Sequence, residues 1–297
     1  FYMNQKIIVI TGGAGFIGSN LIKFLLKKTN FNLLSIDDYS SGSKLNHIPN
    51  KRVKYLKANT LNIDKLIKHP NKVESVFHFG EFSRIYQSFL NIKKCLNSNS
   101  NGTNSVINFC LKNKIRLIYS ATSASLGNSG NDKNLSPYAF TKAKNLELLN
   151  NLKQWFNFKC EIIYFYNVYG PGQISSGIMA TVIGIFENQF KNKKHITVVK
   201  PGTQTRRFTH VDDTILVCFE AWKKKTNSHY SISSNKSYSI IQIAKMFKKN
   251  VKFLPARKGE RYASAITKIS LNNKIKRRLG RIDLKDYISN FKKTFKN

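Results

Sequence analysis

The sequence predicts a doubly wound α/β fold, in which a parallel sheet carries helices on both faces and is followed by a smaller lobe. Three observations point to it. Short, β-branched apolar runs alternate with helix-period segments through the first two-thirds of the chain. A glycine-rich turn stands between the first apolar run and the first helical segment. After Tyr169-Gly170-Pro171-Gly172 the alternation gives way to irregular elements, as expected where a second lobe begins.

Taken in order, Ile7-Ile8-Val9-Ile10 is a buried strand, predicted over Lys6–Ile10. Phe1 and Tyr2 precede Met3 and are set aside from the fold argument. Thr11-Gly12-Gly13-Ala14-Gly15-Phe16-Ile17-Gly18 follows at once, and a helix continues through Lys28. This G-x-x-G-x-x-G turn suits a dinucleotide. Gly12 permits the tight turn, Gly15 lets the backbone approach a pyrophosphate, and Gly18 lets the helix pack closely. The helix amino terminus, at Phe16 and Ile17, then faces the phosphates. Further strands are expected near Asn32–Ile36, Val53–Leu56, Ser75–Phe79, Arg116–Ser120 and Glu161–Tyr166, with helices in most intervals. Beyond them a helix around Ile178–Phe190 and a strand at Ile196–Val199 are predicted. No repeat or low-complexity linker divides the chain, so the two lobes should share one body.

The bulk composition narrows the class. A chain of 297 residues, 41% hydrophobic, can bury a sizeable core. No run of about 18 apolar residues appears, and the amino terminus lacks the pattern of a signal peptide, so a soluble, cytoplasmic protein with no membrane partner is expected. Cys95, Cys110, Cys160 and Cys218 are scattered through apolar segments without C-x-x-C spacing. They read as buried free thiols, and no metal site is expected. The formal charge of +35, from 50 Lys+Arg against 15 Asp+Glu, has two readings. A surface for polyanions such as RNA is one; biased composition is the other. The lysines are spread over almost every segment, with no concentrated stripe and no aromatic RNA-recognition motif, which favours composition and argues against nucleic acid.

Two further features carry chemistry. Asp37 ends the second strand about 25 residues beyond Gly12, where a carboxylate can accept hydrogen bonds from an adenosine ribose; this favours NAD over NADP, and a turn cap is the structural alternative. Ser136-Pro137-Tyr138-Ala139-Phe140-Thr141-Lys142 opens a helix on which Tyr138 and Lys142 stand one turn apart on the same face. An ammonium beside a phenol stabilises the tyrosinate and makes it a usable base.

With these residues in place, the chain resembles the extended short-chain dehydrogenase/reductases of the NAD-dependent epimerase/dehydratase family over nearly its whole length. The resemblance is carried by the glycine turn, Asp37, Phe77-His78-Phe79, Asn99 with Gly102-Thr103, Ser120 to Gly127, the Tyr138/Lys142 pair, Asn167-Val168-Tyr169-Gly170-Pro171 and Arg206 to Asp213. It implies a Rossmann domain over residues 3–170, to which 205–228 return, and a nucleotide-sugar lobe over 171–204 and 229–297. It implies NAD as cofactor, with Asn99, Tyr138 and Lys142 among its contacts, and a catalytic set of Thr122, Tyr138 and Lys142. Thr122 matches the family's Ser or Thr five residues before the glycine at Gly127. Dehydratases of the family usually carry an Asp-Glu pair straight after that position, whereas Ser123-Ala124 stand here. Elimination is therefore disfavoured, and the resemblance implies oxidation and re-reduction of a nucleotide-diphosphate sugar, as in UDP-hexose 4-epimerases. Dehydration and the chemistry of ADP-heptose 6-epimerases are the alternatives within the family; a catalytically silent RNA-binding member is the alternative outside it. Substrate contacts are implied for Ser123, Asn167, Arg206 and Arg257, with Glu260 in the acidic place of an R-x-G-D/E motif, and a homodimer by analogy.

Three departures from the family pattern stand out. The loop between Thr122 and Tyr138 is short, Gly80-Glu81 replaces two small residues after His78-Phe79, and Arg207 replaces an aspartate. Glu81 is expected to place a carboxylate near cofactor and substrate. Lys258-Gly259-Glu260-Arg261-Tyr262 resembles the tail of ADP-heptose 6-epimerases as much as that of UDP-hexose enzymes.

Overall fold

The computed structural model describes residues 6–125, 127–259 and 275–295. Its first six strands are β1 (Ile7–Thr11), β2 (Asn32–Asp37), β3 (Val53–Lys57), β4 (Val73–His78), β5 (Arg116–Thr122) and β6 (Cys160–Phe165). The remainder adds β7 (Val168–Tyr169), β8 (Ile196–Val199), β9 (Thr205–Arg207), β10 (Thr209–His210), β11 (His229–Ser233), β12 (Ser237–Ser239), β13 (Val251–Leu254) and β14 (Ile275–Leu279). Eight of these strands form one sheet in the order β14-β11-β6-β5-β4-β1-β2-β3, every neighbouring pair parallel. The sheet is the doubly wound one the alternation predicts.

Parallel strands covered on both faces need continuous apolar runs, and every residue of β2 is buried. The helices are α1 (Phe16–Lys28), α2 (Ile63–Leu66), α3 (Ile85–Leu90), α4 (Ile92–Leu96), α5 (Thr103–Lys112), α6 (Pro137–Phe156), α7 (Val182–Lys191), α8 (Val211–Lys224), α9 (Ile240–Met246) and α10 (Leu284–Lys293). Leu21, Ile22 and Leu25 of α1 join Ile215, Cys218 and Trp222 of α8 against Ile8 and Ile10 on one face. Val106 and Cys110 of α5 join Leu149 and Leu152 of α6 against Val9 and Leu117 on the other. Each fully buried aliphatic side chain in these layers contributes about 1.5–3 kcal/mol. All four cysteines are free and buried, as expected.

A third core, around Ile183, Phe186, Ile196, Val198, Ile243 and Phe247, belongs to the smaller lobe, which α7, α9 and α10 build with three two-stranded sheets. Those sheets are β7 with β10, β9 with β12 and β8 with β13.

Several boundaries differ from the sequence reading. β1, β2 and β5 run one or two residues further, because their ladders continue past the last apolar side chain to Thr11, Asp37 and Thr122. β4 begins at Val73 and ends at His78, so Phe79 already turns. The helix predicted from Ile178 starts at Val182, where the Thr181 hydroxyl accepts from the Gly184 amide at 3.0 Å and caps it. Residues 229–297 do not all belong to the smaller lobe. His229–Ser233 pairs with β6 and Ile275–Leu279 with β11, so both extend the large sheet.

Candidate active site

Between β1 and β4 the direction of the strand order reverses, which opens a crevice outside the carboxyl ends of the strands. A cavity of about 760 Å³ lies there, and every sequence-predicted site residue except Asn99 lines it.

Gly12 turns the chain with φ +71°, and a Cβ there would lie 2.8 Å from the Gly80 amide nitrogen. A Cβ on Gly18 would overlap the Gly12 carbonyl oxygen. Gly15 caps α1 without a side chain, so the first-turn amides of a helix whose Phe16, Ile17 and Gly18 line the cavity are left without side-chain partners. Such donors at a helix amino terminus suit a diphosphate. The Asp37 carboxylate accepts from the Ala14 amide at 2.9 Å and the Tyr39 amide at 2.8 Å while lining the same cavity. It is both turn cap and cavity wall. Burial raises its pKa, against the lowering effect of those amides. The glycine cradle, the open amides and this carboxylate together fit a dinucleotide.

Thr122 ends β5, nearly buried, and its Oγ1 accepts from the Ala124 amide at 3.2 Å. Ser123 and Ala124 continue into a short 3-10 turn. Tyr138 and Lys142 stand on α6, whose start is fixed by Pro137 and by Ser136, which accepts from the Ala139 amide at 3.1 Å. The Tyr138 amide donates to Ser88 Oγ on α3 at 3.2 Å, which ties the two helices together beside the cavity. The Lys142 ammonium donates to Glu81 Oε2 and to the Ser120 carbonyl, and lies 4.5 Å from the centre of the Tyr119 ring. Burial lowers its pKa, and Glu81 works in the opposite direction.

Two expectations need correction. Glu81 reaches the cavity wall, but its carboxylate is directed inward. Beyond Lys142 it accepts from Thr103 at 3.0 Å, Tyr119 at 3.1 Å and Asn145 at 3.3 Å, so it is not free to hold a substrate. Asn99 is fully buried. Its Oδ1 accepts from the Phe82 amide at 2.7 Å, and its Nδ2 donates to the Phe82 carbonyl at 3.0 Å and to Thr141 at 3.2 Å, so it braces the turn after β4 and does not line the cavity.

Of the other predicted contacts, Asn167 Nδ2 donates to the Arg207 carbonyl at 2.8 Å. Arg206 is nearly buried on β9, and the Arg257 guanidinium stacks over Tyr86 at 5.3 Å. Glu260, Arg261 and Tyr262 lie outside the described residues. The sequence reading missed Arg84, which lines the cavity and donates from Nε to the Met179 carbonyl at 3.0 Å, tying the loop before α7 to the start of α3. A lone cation among 50 carried no signal.

Comparisons with known proteins identify the family and the fold. A family model described as the NAD dependent epimerase/dehydratase family matches residues 8–233. An ADP-L-glycero-D-manno-heptose-6-epimerase of Brachyspira hyodysenteriae is 30% identical over 259 residues, covering 81% of this chain and 80% of that protein. A dTDP-D-glucose 4,6-dehydratase of Dictyostelium discoideum is 28% identical, covering 81% of this chain and 61% of that one. The crystal structure of a Thermotoga maritima UDP-glucose 4-epimerase with UDP-glucose superimposes with a TM-score of 0.83 at 22% identity, covering 97% of this chain and 99% of that one. With the fold, the glycine cradle and a match across most of its length, the chain belongs to the NAD dependent epimerase/dehydratase family.

Proposed function

We propose that the chain is an NAD-dependent nucleotide-sugar epimerase of the UDP-hexose 4-epimerase type. The observation that carries this reading is a single cavity lined by the glycine cradle, Asp37, Thr122, Tyr138 and Lys142, with Ser123 and Ala124 where an elimination would need an acid and a base. Gly12, Gly15, Gly18, the α1 amides and Asp37 would hold NAD, which would supply a hydride acceptor and donor for one sugar carbon. Tyr138 Oη removes the proton of the sugar hydroxyl and later returns it to the same oxygen, the inversion coming from return of the hydride to the opposite face of that carbon. Thr122 Oγ1 holds that sugar oxygen, and the Lys142 ammonium favours the tyrosinate form. Arg206 and Arg257 clamp the diphosphate, the stacked Arg257 guanidinium being already oriented by Tyr86. The sugar ring turns over as a ketone between the two half-reactions, so neither a metal nor a second substrate is needed. Exposed Leu90, Ile92, Leu96 and Phe140, on α3, α4 and α6, support pairing of two copies.

The 30% identity to an ADP-heptose 6-epimerase supports a second reading, the same chemistry at the sixth carbon of an ADP-heptose. One experiment separates the two. The protein, with and without added NAD, is incubated with UDP-, ADP-, GDP- and dTDP-sugars and the stereoisomers are resolved. A product inverted at C4 of a UDP-hexose supports the first reading, inversion at C6 of an ADP-heptose the second. A product lighter by one water contradicts both.

A further inference from the structure

Glu81 is a carboxylate sealed into the catalytic neighbourhood. Its side chain is only 3% exposed and that of its partner Lys142 5%, so each ion depends on the other for compensation. The carboxylate also ends a hydrogen-bond chain that starts in the glycine turn. The Phe79 and Gly80 amides donate to Thr11 Oγ1 at 3.2 and 3.0 Å. Thr11 Oγ1 lies 2.7 Å from His78 Nδ1, and His78 Nε2 lies 2.9 Å from Thr103 Oγ1. Thr103 in turn meets Glu81 Oε1 at 3.0 Å.

The directions in this chain follow from chemistry. An ionised carboxylate only accepts, so Thr103 donates to Glu81 and must accept from His78 Nε2–H. His78 Nδ1 is then an acceptor, which takes the Thr11 hydroxyl proton. Every link points the same way, toward the carboxylate. The imidazole is neutral; burial holds its pKa at about 4. Tyr119 and Asn145 close the remaining sides of Glu81, so the carboxylate is fixed from β1, β4, β5, α5 and α6 at once.

We infer that Glu81 is a positioning residue for Lys142: it locks the ammonium against the end of β5, linking the cofactor turn at Thr11 to the pair on α6. An ammonium has three N–H groups. Glu81 and the Ser120 carbonyl take two, which leaves the third for the cavity that Lys142 lines. The titratable groups around the ammonium are Glu81 and His78 after and on β4, Tyr119 on β5 and Tyr138 one turn back on α6, while Cys95 of α4 faces Glu81. Glu81 is the one carboxylate among them. Without it, a buried ammonium keeps its proton less firmly. The sign is therefore definite: neutralising Glu81 moves Lys142 deprotonation to lower pH.

The inference rests on the proposed epimerase reading for its consequence in catalysis, but not for its test. Isotope-labelled lysine allows the Lys142 ε-carbon to be followed by NMR across pH in protein without nucleotide or sugar, its signal assigned by loss in Lys142→Met. In Glu81→Gln the Lys142 proton affinity should fall by roughly tenfold or more. Glu81→Asp, which keeps the charge with a shorter reach, should lower it by less. An unmoved Lys142 titration in Glu81→Gln overturns the inference; if that variant does not fold, an unmoved titration in Glu81→Asp does so. With a nucleotide sugar that the wild type converts, Glu81→Gln should lower kcat and shift the alkaline limb of the rate profile to lower pH at unchanged KM. A wild type that converts none of the panel sinks the epimerase reading and leaves the Lys142 titration to decide this one.

Discussion

The proposed cofactor end and the proposed sugar end of the cavity are built differently. At the cofactor end, the glycine turn and Asp37 come from adjacent strands β1 and β2 of one parallel sheet, and backbone conformation does most of the work: Gly12 at positive φ, open amides on α1, a carboxylate braced by two amides. At the sugar end, Arg84, Thr122, Tyr138, Arg206 and Arg257 come from separate elements, and three two-stranded sheets support the smaller lobe. Function at the first end should therefore be brittle to changes of backbone, and at the second graded to changes of side chain.

The largest expected effect tests the point where the two ends meet. Tyr138→Phe removes the proposed proton acceptor but no packing, so turnover of the converted sugar should fall by about 10²–10⁴-fold while NAD binding, read by protein fluorescence, stays near wild type. Equal loss of both would mean that Tyr138 serves only to bind.

Brittleness at the cofactor end is tested by Gly18→Ala. Its Cβ would overlap the Gly12 carbonyl, so the turn must move; a loss of about 1–3 kcal/mol in denaturant unfolding, together with loss of NAD binding, is expected. Normal NAD affinity in this variant would break the contrast.

The buried relay between the ends has its own pH signature. Folded His78 titrates at about 4 against an ordinary 6.5. Between those values the unfolded chain takes up a proton that the folded chain refuses. The His78 contribution is therefore complete above about 6.5 and is lost as pH falls toward 4, by about 3 kcal/mol in all. Denaturant midpoints measured across that range should fall with acid in the wild type and less steeply in His78→Asn.

The smallest effect is expected at the sugar end. Arg206→Ala removes one charged contact among several, so KM for the nucleotide sugar should rise by about tenfold with kcat little changed. A collapse of kcat would place Arg206 at the reacting carbon.

The same contrast explains what could be read from the sequence. β1 with its glycine turn, and the Tyr138/Lys142 pair, were legible because their geometry is local: strand, turn and helix in succession, or one helical turn. β14, with the sequence Ile-Lys-Arg-Arg-Leu at the sheet edge, was not, since an edge strand carries charge and lacks the apolar run of a central one. The direction of Glu81 was not legible either. Position after β4 put it near the cavity, but only the fold shows that Lys142, Thr103, Tyr119 and Asn145 converge on its carboxylate. Asn99 failed for a related reason: a motif carries over a residue's position and not its partners.

In the proposed reaction one sugar carbon is oxidised and re-reduced in place. A UDP-hexose carrying deuterium at C4, converted in ordinary water, tests it most directly. The expected product is a 4-epimer of unchanged mass that keeps its deuterium at C4, with no net accumulation of NADH. Deuterium on a different carbon of a product lighter by one water, or deuterium lost to solvent, would contradict it.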